Sequence, residues 1–276
     1  MQRWRFLELF EFKNIFRGLA MGITDLVPGV SGSTVLMVLG VYERFIASLN
    51  GLTTKEWKES LRFLIPLGIG VGSALLIFSR VIDWLLEHYQ PVTLFMFLGL
   101  VIGIVPILVK EVEIKRTFNP VHYGLLFVSF ILIALTSLIP QETGLMTDLT
   151  FVNYLFLFLS GWLASAALIL PGISGSLIFL LLGVYATVIN AISTLQLPVI
   201  IAVGLGIVVG LLLTSKLVRY LFKEYTSHTY AVMIGLVTGS IVVIYSHIEP
   251  GGSVLGCAIT FIAGLVIAYL LGSTKK

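Results

Sequence analysis

Charge is what this sequence has least of. Lysine, arginine, aspartate and glutamate make up 11% of its 276 residues, where a soluble domain carries roughly 25%. Seventeen basic and 14 acidic residues cannot cover a water-facing surface on a chain that is 58% hydrophobic. A soluble enzyme is excluded. So is a nucleic-acid binder, because the net charge is only +3 and the basic residues sit in short loops. Cysteine is almost absent, and the single Cys257 excludes a disulfide framework or a cysteine-based metal site. His88, His122, His228 and His247 are scattered without metal-ligand spacing, so no metal is assigned. No Ser/His/Asp order suggests hydrolysis, and the chain is not read as an enzyme.

Apolar sequence is what the chain has in quantity, with a mean hydropathy of +1.05. Runs of about 18–24 apolar residues alternate with short polar breaks, the length of bilayer-crossing helices. The expected fold is an all-α polytopic membrane protein. Spans fall near 63–86, 92–109, 121–139, 197–217, 229–247 and 253–271. Two further regions, near 14–49 and 151–193, are split by Pro28-Gly29 and Pro171-Gly172. The N-terminus mixes Arg3, Arg5, Lys13 and Arg17 with Trp4, Leu7, Phe10 and Phe16, the pattern of an interfacial amphipathic helix. It has no signal-peptide cleavage pattern.

With the N-terminus in the cytoplasm, the loops carrying Lys55, Lys58 and Arg62, then Lys110, Lys115 and Arg116, then Lys216, Arg219 and Lys223, all lie inside, as does the tail. Arg80 is the one basic residue near the outer face. The expected location is the cytoplasmic membrane with both termini inside.

The chain also repeats itself. Pro28-Gly29-Val30-Ser31-Gly32-Ser33 returns as Pro171-Gly172-Ile173-Ser174-Gly175-Ser176, and Leu39-Gly40-Val41-Tyr42 returns as Leu182-Gly183-Val184-Tyr185, both at an offset of 143. Tyr89 matches Tyr225, and Gly99 and Gly103 match Gly235 and Gly239, at an offset of 136. The expected organisation is a first repeat over 1–139, an outer linker over 140–150 and a second repeat over 151–276, all in one membrane domain. A split region plus three spans is an odd set, so the second copy enters the membrane inverted. Asp83 and Glu87 correspond to Arg219 and Lys223, a change of sign with the side faced. Inverted repeats are the mark of secondary transporters, whose sites lie at the repeat interface near the midplane.

The two Pro-Gly elements are the candidate site. Proline stops a helix and glycine turns the chain. Ser31 or Ser174 can then cap a new helix whose N-terminus points into the membrane interior. Such a terminus carries free N–H groups and a partial positive charge, which favour anions. Gly32 and Gly175 allow close approach, and the hydroxyls of Ser31, Ser33, Thr34, Ser174 and Ser176 add donors. Inversion brings both tips toward one site suited to phosphate or carboxylate. The alternative is a structural hairpin whose hydroxyls only satisfy freed backbone.

The segment Gly22-Ile23-Thr24-Asp25-Leu26-Val27-Pro28-Gly29-Val30-Ser31-Gly32-Ser33-Thr34, followed by Gly40-Val41-Tyr42-Glu43, resembles the first signature of the bacterial and archaeal polyprenyl-phosphate transporter family. Leu170-Pro171-Gly172-Ile173-Ser174-Gly175-Ser176 with Gly183-Val184-Tyr185 resembles the second. Ser33 departs from the usual second glycine and leaves less room at the first tip. The resemblance implies return of undecaprenyl phosphate, the lipid carrier for envelope glycans, from the outer to the inner leaflet. Partners are then the lipid phosphate and the bilayer. Without it, the residues alone reach an anion transporter.

Asp25 sits beside the first tip, and its counterpart is Leu168. It is expected either to carry a coupling proton or sodium, with no other cofactor, or to hold a helix end by pairing with a cation such as Arg17. Glu43 is a second candidate acid, expected to pair with Arg44. Arg80 is expected to meet the arriving phosphate, or to pair with Asp83, and Lys216 near Arg219 to receive it before release. Glycine pairs at 68/72, 99/103, 206/210 and 235/239 are expected to pack helices within the bundle, with a homodimer left open. Transport of a small soluble anion and a non-transporting membrane scaffold stay open as alternatives.

Overall fold

A computed structural model describes residues 11–26, 30–138, 145–146 and 149–273, with the side chains at 83, 193, 272 and 273 left aside. The first half comprises α1 (Lys13–Asp25), α2 (Gly32–Val38), α3 (Tyr42–Gly51), α4 (Trp57–His88), α5 (Gln90–Glu111), the single turn α6 (Ile114–Thr117) and α7 (Pro120–Thr136). The second comprises α8 (Phe151–Ile169), α9 (Gly175–Leu181), α10 (Tyr185–Ser193), α11 (Leu197–Glu224), α12 (Thr226–Ser246) and α13 (Val254–Ser273). Among the described residues, six helices are long and apolar enough to cross a membrane, rising to eight if each bent pair counts as one span. Their exposed faces carry Leu76, Ile77, Ile201, Ile262 and Leu270, a surface that only hydrocarbon can solvate.

The long helices overrun the spans expected from hydropathy. α4 and α11 extend to Trp57–His88 and Leu197–Glu224 because their polar ends continue the helix past the apolar window. α7 is shorter than expected and ends at Thr136.

The two split regions each contain a sharply bent pair. The bend is 115° between α2 and α3 and 116° between α9 and α10. Its cause is local and the same in both. Gly40 and Gly183 take left-handed φ values of 67° and 68°, which only glycine adopts at little cost. Around Gly40 the N–H groups of Gly40 and Val41 bond back to Met37 and Leu36, both at 3.0 Å. Around Gly183, those of Gly183 and Val184 bond to Leu180 and Phe179 at 3.0 and 2.9 Å. This is the Schellman stop, and a new helix starts on the next residue but one.

Glycine also sets how the helices pair. A methyl group at Gly99 would collide with the backbone of Phe261, and at Gly235 with that of Leu126. Gly18 faces Leu67 and Gly70, while Gly22 faces Val71 and Ala74, so α1 and α4 run parallel. The same register argument makes α8 and α11 parallel through Gly161, Gly206 and Gly210. α5 pairs with α13, and α7 with α12, so these contacts cross between halves. Since α1 and α4 run the same way and α3 ends where α4 begins, the chain between them turns back to the side it came from. Gly68 and Gly72 correct the expectation of bundle packing: a methyl group at either meets nothing within 4 Å. The approach in α4 is made by Gly70, half a turn away from both.

The core is centred on α2. All seven of its residues are buried, and it touches α1, α3, α5, α8 and α13. Ile46, Phe63, Phe97, Ile104 and Met233 belong to the same core cluster.

Candidate functional site

The site is built where the two split regions meet. The hydroxyl of Thr34, in the first turn of α2, accepts the Gly172 N–H at 3.0 Å. The hydroxyl of Tyr42, at the start of α3, donates to the Ile169 carbonyl at 2.9 Å. The Ser31 hydroxyl lies 3.5 Å from the Leu170 carbonyl. These bonds satisfy backbone groups that Pro171 and the turn have released from α8, which is the requirement on irregular backbone at membrane depth. Gly172 has φ 89°, and a methyl group there would press on the backbone of Leu236 and Val237. The turn therefore needs glycine twice over.

Ser31, Ser33, Thr34 and Ser174 are all buried. Ser31 and Ser33 share a hydrogen bond of 2.7 Å, and Ser174 and Ser176 share one of 2.8 Å. Ser31 and Ser174 do occupy the N-cap positions, in extended conformation, but neither side chain caps its helix. The hydroxyl pairs turn to each other instead. At the first tip the capping role falls to Asp25, whose Oδ1 accepts the Gly32 N–H at 2.7 Å. Asp25 thus holds a helix end, but not through a cation: Arg17 bonds to Asn14 at 2.7 Å. Among the described residues the second tip has no carboxylate, and the position corresponding to Asp25 is taken by Leu168. Gly175 there faces Ala164 and Leu168. Pro28 and Gly29 lie outside the described residues.

Glu43 does not take the partner expected, because Arg44 pairs with Glu11. Tyr42, Glu43, Glu111 and Tyr230 line a cavity of about 120 Å³ beside Gly40. Glu43 also borders a cavity of about 350 Å³ with Ile46, Ala47, Arg219, Phe222 and Lys223. Arg80 and Lys216 are exposed on α4 and α11, and neither lines these cavities. Asp83, the expected mate of Arg80, has its side chain outside the described residues.

Sequence reading missed Tyr230, Glu111 and Asn50. Asn50 is buried, and its Nδ2 donates to the Ser215 carbonyl of α11 at 2.8 Å. A buried asparagine at the end of an apolar helix is the signal that could have found it. The fold also brings His122 and His228 together, with ring centroids 4.3 Å apart. Nδ1 of His122 accepts the Asn119 N–H at 3.0 Å in a capping box. That leaves the ring proton on Nε2, the wrong tautomer for a metal ligand there.

Comparison with known proteins bears on the whole chain. Residues 21–254 match the family model described as undecaprenyl phosphate translocase-like. A polyprenyl-phosphate transporter of Staphylococcus aureus is 37% identical over 280 residues, covering 96% of this chain and 98% of that protein. One of Vibrio cholerae is 34% identical over 239 residues, covering 82% of this chain and 74% of that protein. No solved structure matches.

Proposed function

Because the chain belongs to the undecaprenyl phosphate translocase-like family, we propose that it carries a polyprenyl phosphate across the cytoplasmic membrane. The direction of the proposal is from the outer to the cytoplasmic leaflet, returning the lipid carrier for envelope glycan synthesis. The observation that carries it is the contact of two broken hairpins, tip to tip, through Thr34 and Gly172 in the buried centre of the chain. The two halves are read as an inverted pair, with both termini in the cytoplasm.

The residues of this chain divide the work. The head group passes Arg80 at the outer face and reaches the tips while the prenyl tail stays in lipid. Ser174, Gly175 and Ser176 form the tip that no carboxylate occupies, and they receive the phosphate first. Ser31, Gly32, Ser33 and Thr34 form the tip at which Asp25 already stands as an internal acceptor. A phosphate arriving there competes with Asp25 for the Gly32 N–H. Asp25 is accordingly the group at which a coupling proton or sodium acts. Glu43 lies in a separate cavity with Tyr42, Glu111 and Tyr230 and is not given that role. Release runs along α11, where Arg219 and Lys223 line the larger cavity and Lys216 lies on the same helix. A guanidinium one turn from an ammonium suits a phosphate monoester.

The test is exchange of undecaprenyl phosphate between the leaflets of liposomes containing the purified protein. Fast exchange in wild type, slowed at least tenfold when Ser174 and Ser176 become alanine, supports the reading. No exchange above protein-free liposomes, with folding verified and proton and sodium gradients supplied in turn, sinks it and turns attention to soluble anions.

A further inference from the structure

We infer that the exposed face of α10 is a docking surface for the outer half of α4 in the same chain, occupied in a second conformation of the protein. The inference rests on the inverted relation of the two halves proposed above.

Matched positions of α3 and α10 keep their chemistry and differ in burial. Tyr42, Ile46 and Leu49 are 3%, 2% and 6% exposed. Their counterparts 143 residues on, Tyr185, Ile189 and Ile192, are 36%, 48% and 57% exposed. Each trio stands at spacing i, i+4, i+7, so it forms one stripe along its helix. α3 packs on α4 of its own half and forms a seam with α11, a helix of the other half, where Tyr42 packs on Phe222 and Ile46 lines a cavity with it. The stripe of α10 has no such seam, because α10 packs on α11 and α9 of its own half.

The contacts of the closed seam name the residues of the open one. Tyr42 packs on Phe222, with ring centroids 5.8 Å apart, and its hydroxyl donates to Ile169. Asn50 donates to the Ser215 carbonyl. Subtracting 136 from the α11 positions gives Leu86 and Ser79 on α4, and subtracting 143 from Ile169 gives Leu26. In the second conformation Tyr185 therefore rests on Leu86 and donates to the Leu26 carbonyl, and the end of α10 meets α4 near Ser79. Tyr185 makes no hydrogen bond among the described residues, so its hydroxyl gains a partner in the exchange. Leu26 already lies against the core, at the turn into the first tip.

A mechanical link makes the two seams exclusive. The hairpins are tied at their tips by the Thr34 bond to Gly172, so a tilt that lifts α3 from α11 carries the second hairpin with it. One tyrosine-to-carbonyl bond across the halves is traded for its counterpart. Two packings of similar composition and small energy difference are what a bistable transporter needs.

Spin labels at Ala47 and Glu224 report the inner seam, and labels at their counterparts Asn190 and His88 report the outer one, all in a Cys257→Ser background. In liposomes containing undecaprenyl phosphate, each pair is expected to give two distances, with the short inner distance paired to the long outer one. A short thiol cross-link across the inner pair is expected to abolish exchange and leave only the long outer distance. Ile189→Ala with Ile192→Ala is expected to deplete the short outer distance without lowering the melting temperature, since both side chains are exposed here. A single long outer distance during fast exchange overturns the docking surface and leaves the transport reading standing. Two complementary distances without exchange of any polyprenyl phosphate uphold the docking surface and defeat the lipid reading.

Discussion

The Thr34 hydroxyl accepts the backbone N–H of Gly172 at 3.0 Å, so one hairpin completes the hydrogen bonding of the other. The bond spans 138 positions in sequence. Replacing Thr34 by valine preserves shape and leaves a buried donor unsatisfied. The expected loss is about 1–3 kcal/mol, read as a lowered melting temperature in detergent. Thr34→Ser, which restores the acceptor, is expected to recover most of it. Equal melting for valine and serine variants would show that the tip junction is held by packing alone.

Asp25 accepts the Gly32 N–H at 2.7 Å and so caps the first tip. Asp25→Asn is expected to retain a weakened cap and Asp25→Ala to lose it, giving a graded fall in stability in that order. Exchange of polyprenyl phosphate is expected to lose its dependence on the coupling-ion gradient in both. A gradient dependence unchanged in Asp25→Ala would remove Asp25 from coupling and leave it a structural cap.

Tyr230 of α12 and Glu43 of α3 line one cavity. Tyr230→Phe and Glu43→Gln are expected to be non-additive, with a coupling of about 0.5–3 kcal/mol in a double-mutant cycle. Additive losses would mean that the two side chains act independently. Glu43 also borders the cavity that Arg219 and Lys223 line, so Glu43→Gln is expected to tighten binding of a short-chain prenyl phosphate by several-fold. Unchanged binding by calorimetry would remove Glu43 from the release path.

Glycines in one helix are expected to differ sharply in tolerance. Gly70→Leu drives a side chain into the backbone of α1, and the expected cost is about 1–3 kcal/mol or more. Gly68→Leu points into open space and is expected to leave melting within about 0.5 kcal/mol of wild type. The same contrast holds between Gly206, packed on Phe158, and Gly204, which faces open space. Similar losses at Gly68 and Gly70 would place a second helix on the outer face of α4.

The breaks in the two split regions are legible in sequence because proline, glycine and the left-handed turn act over three or four residues. Gly40 and Gly183 take nearly the same φ as two instances of one local rule. Span identity is legible too, since hydrocarbon imposes a length. What sequence does not carry is the choice among competing partners. Ser31 stands at an N-cap, where its hydroxyl is expected to cap, yet Asp25 takes the donor and Ser31 turns to Ser33. Glu43 lies next to Arg44, but the bend after Gly40 turns it toward Tyr230, nearly two hundred positions away. Of four glycine pairs, 68/72 points outward because α4 presents Gly70 to α1, and spacing alone does not reveal which face a helix turns inward.

The crossed pairing of α5 with α13 and of α7 with α12 has a consequence for synthesis. As the chain leaves the ribosome and enters the bilayer, α5 waits with its glycine face bare until α13 is made. The first half cannot finish folding before the second. Loss of α13 would strip Gly99 and Gly103 of their covering backbone and leave α5 unsealed. Quality-control proteases that sample unpaired spans would therefore read the arrival of α13 as the report on the helices that precede it.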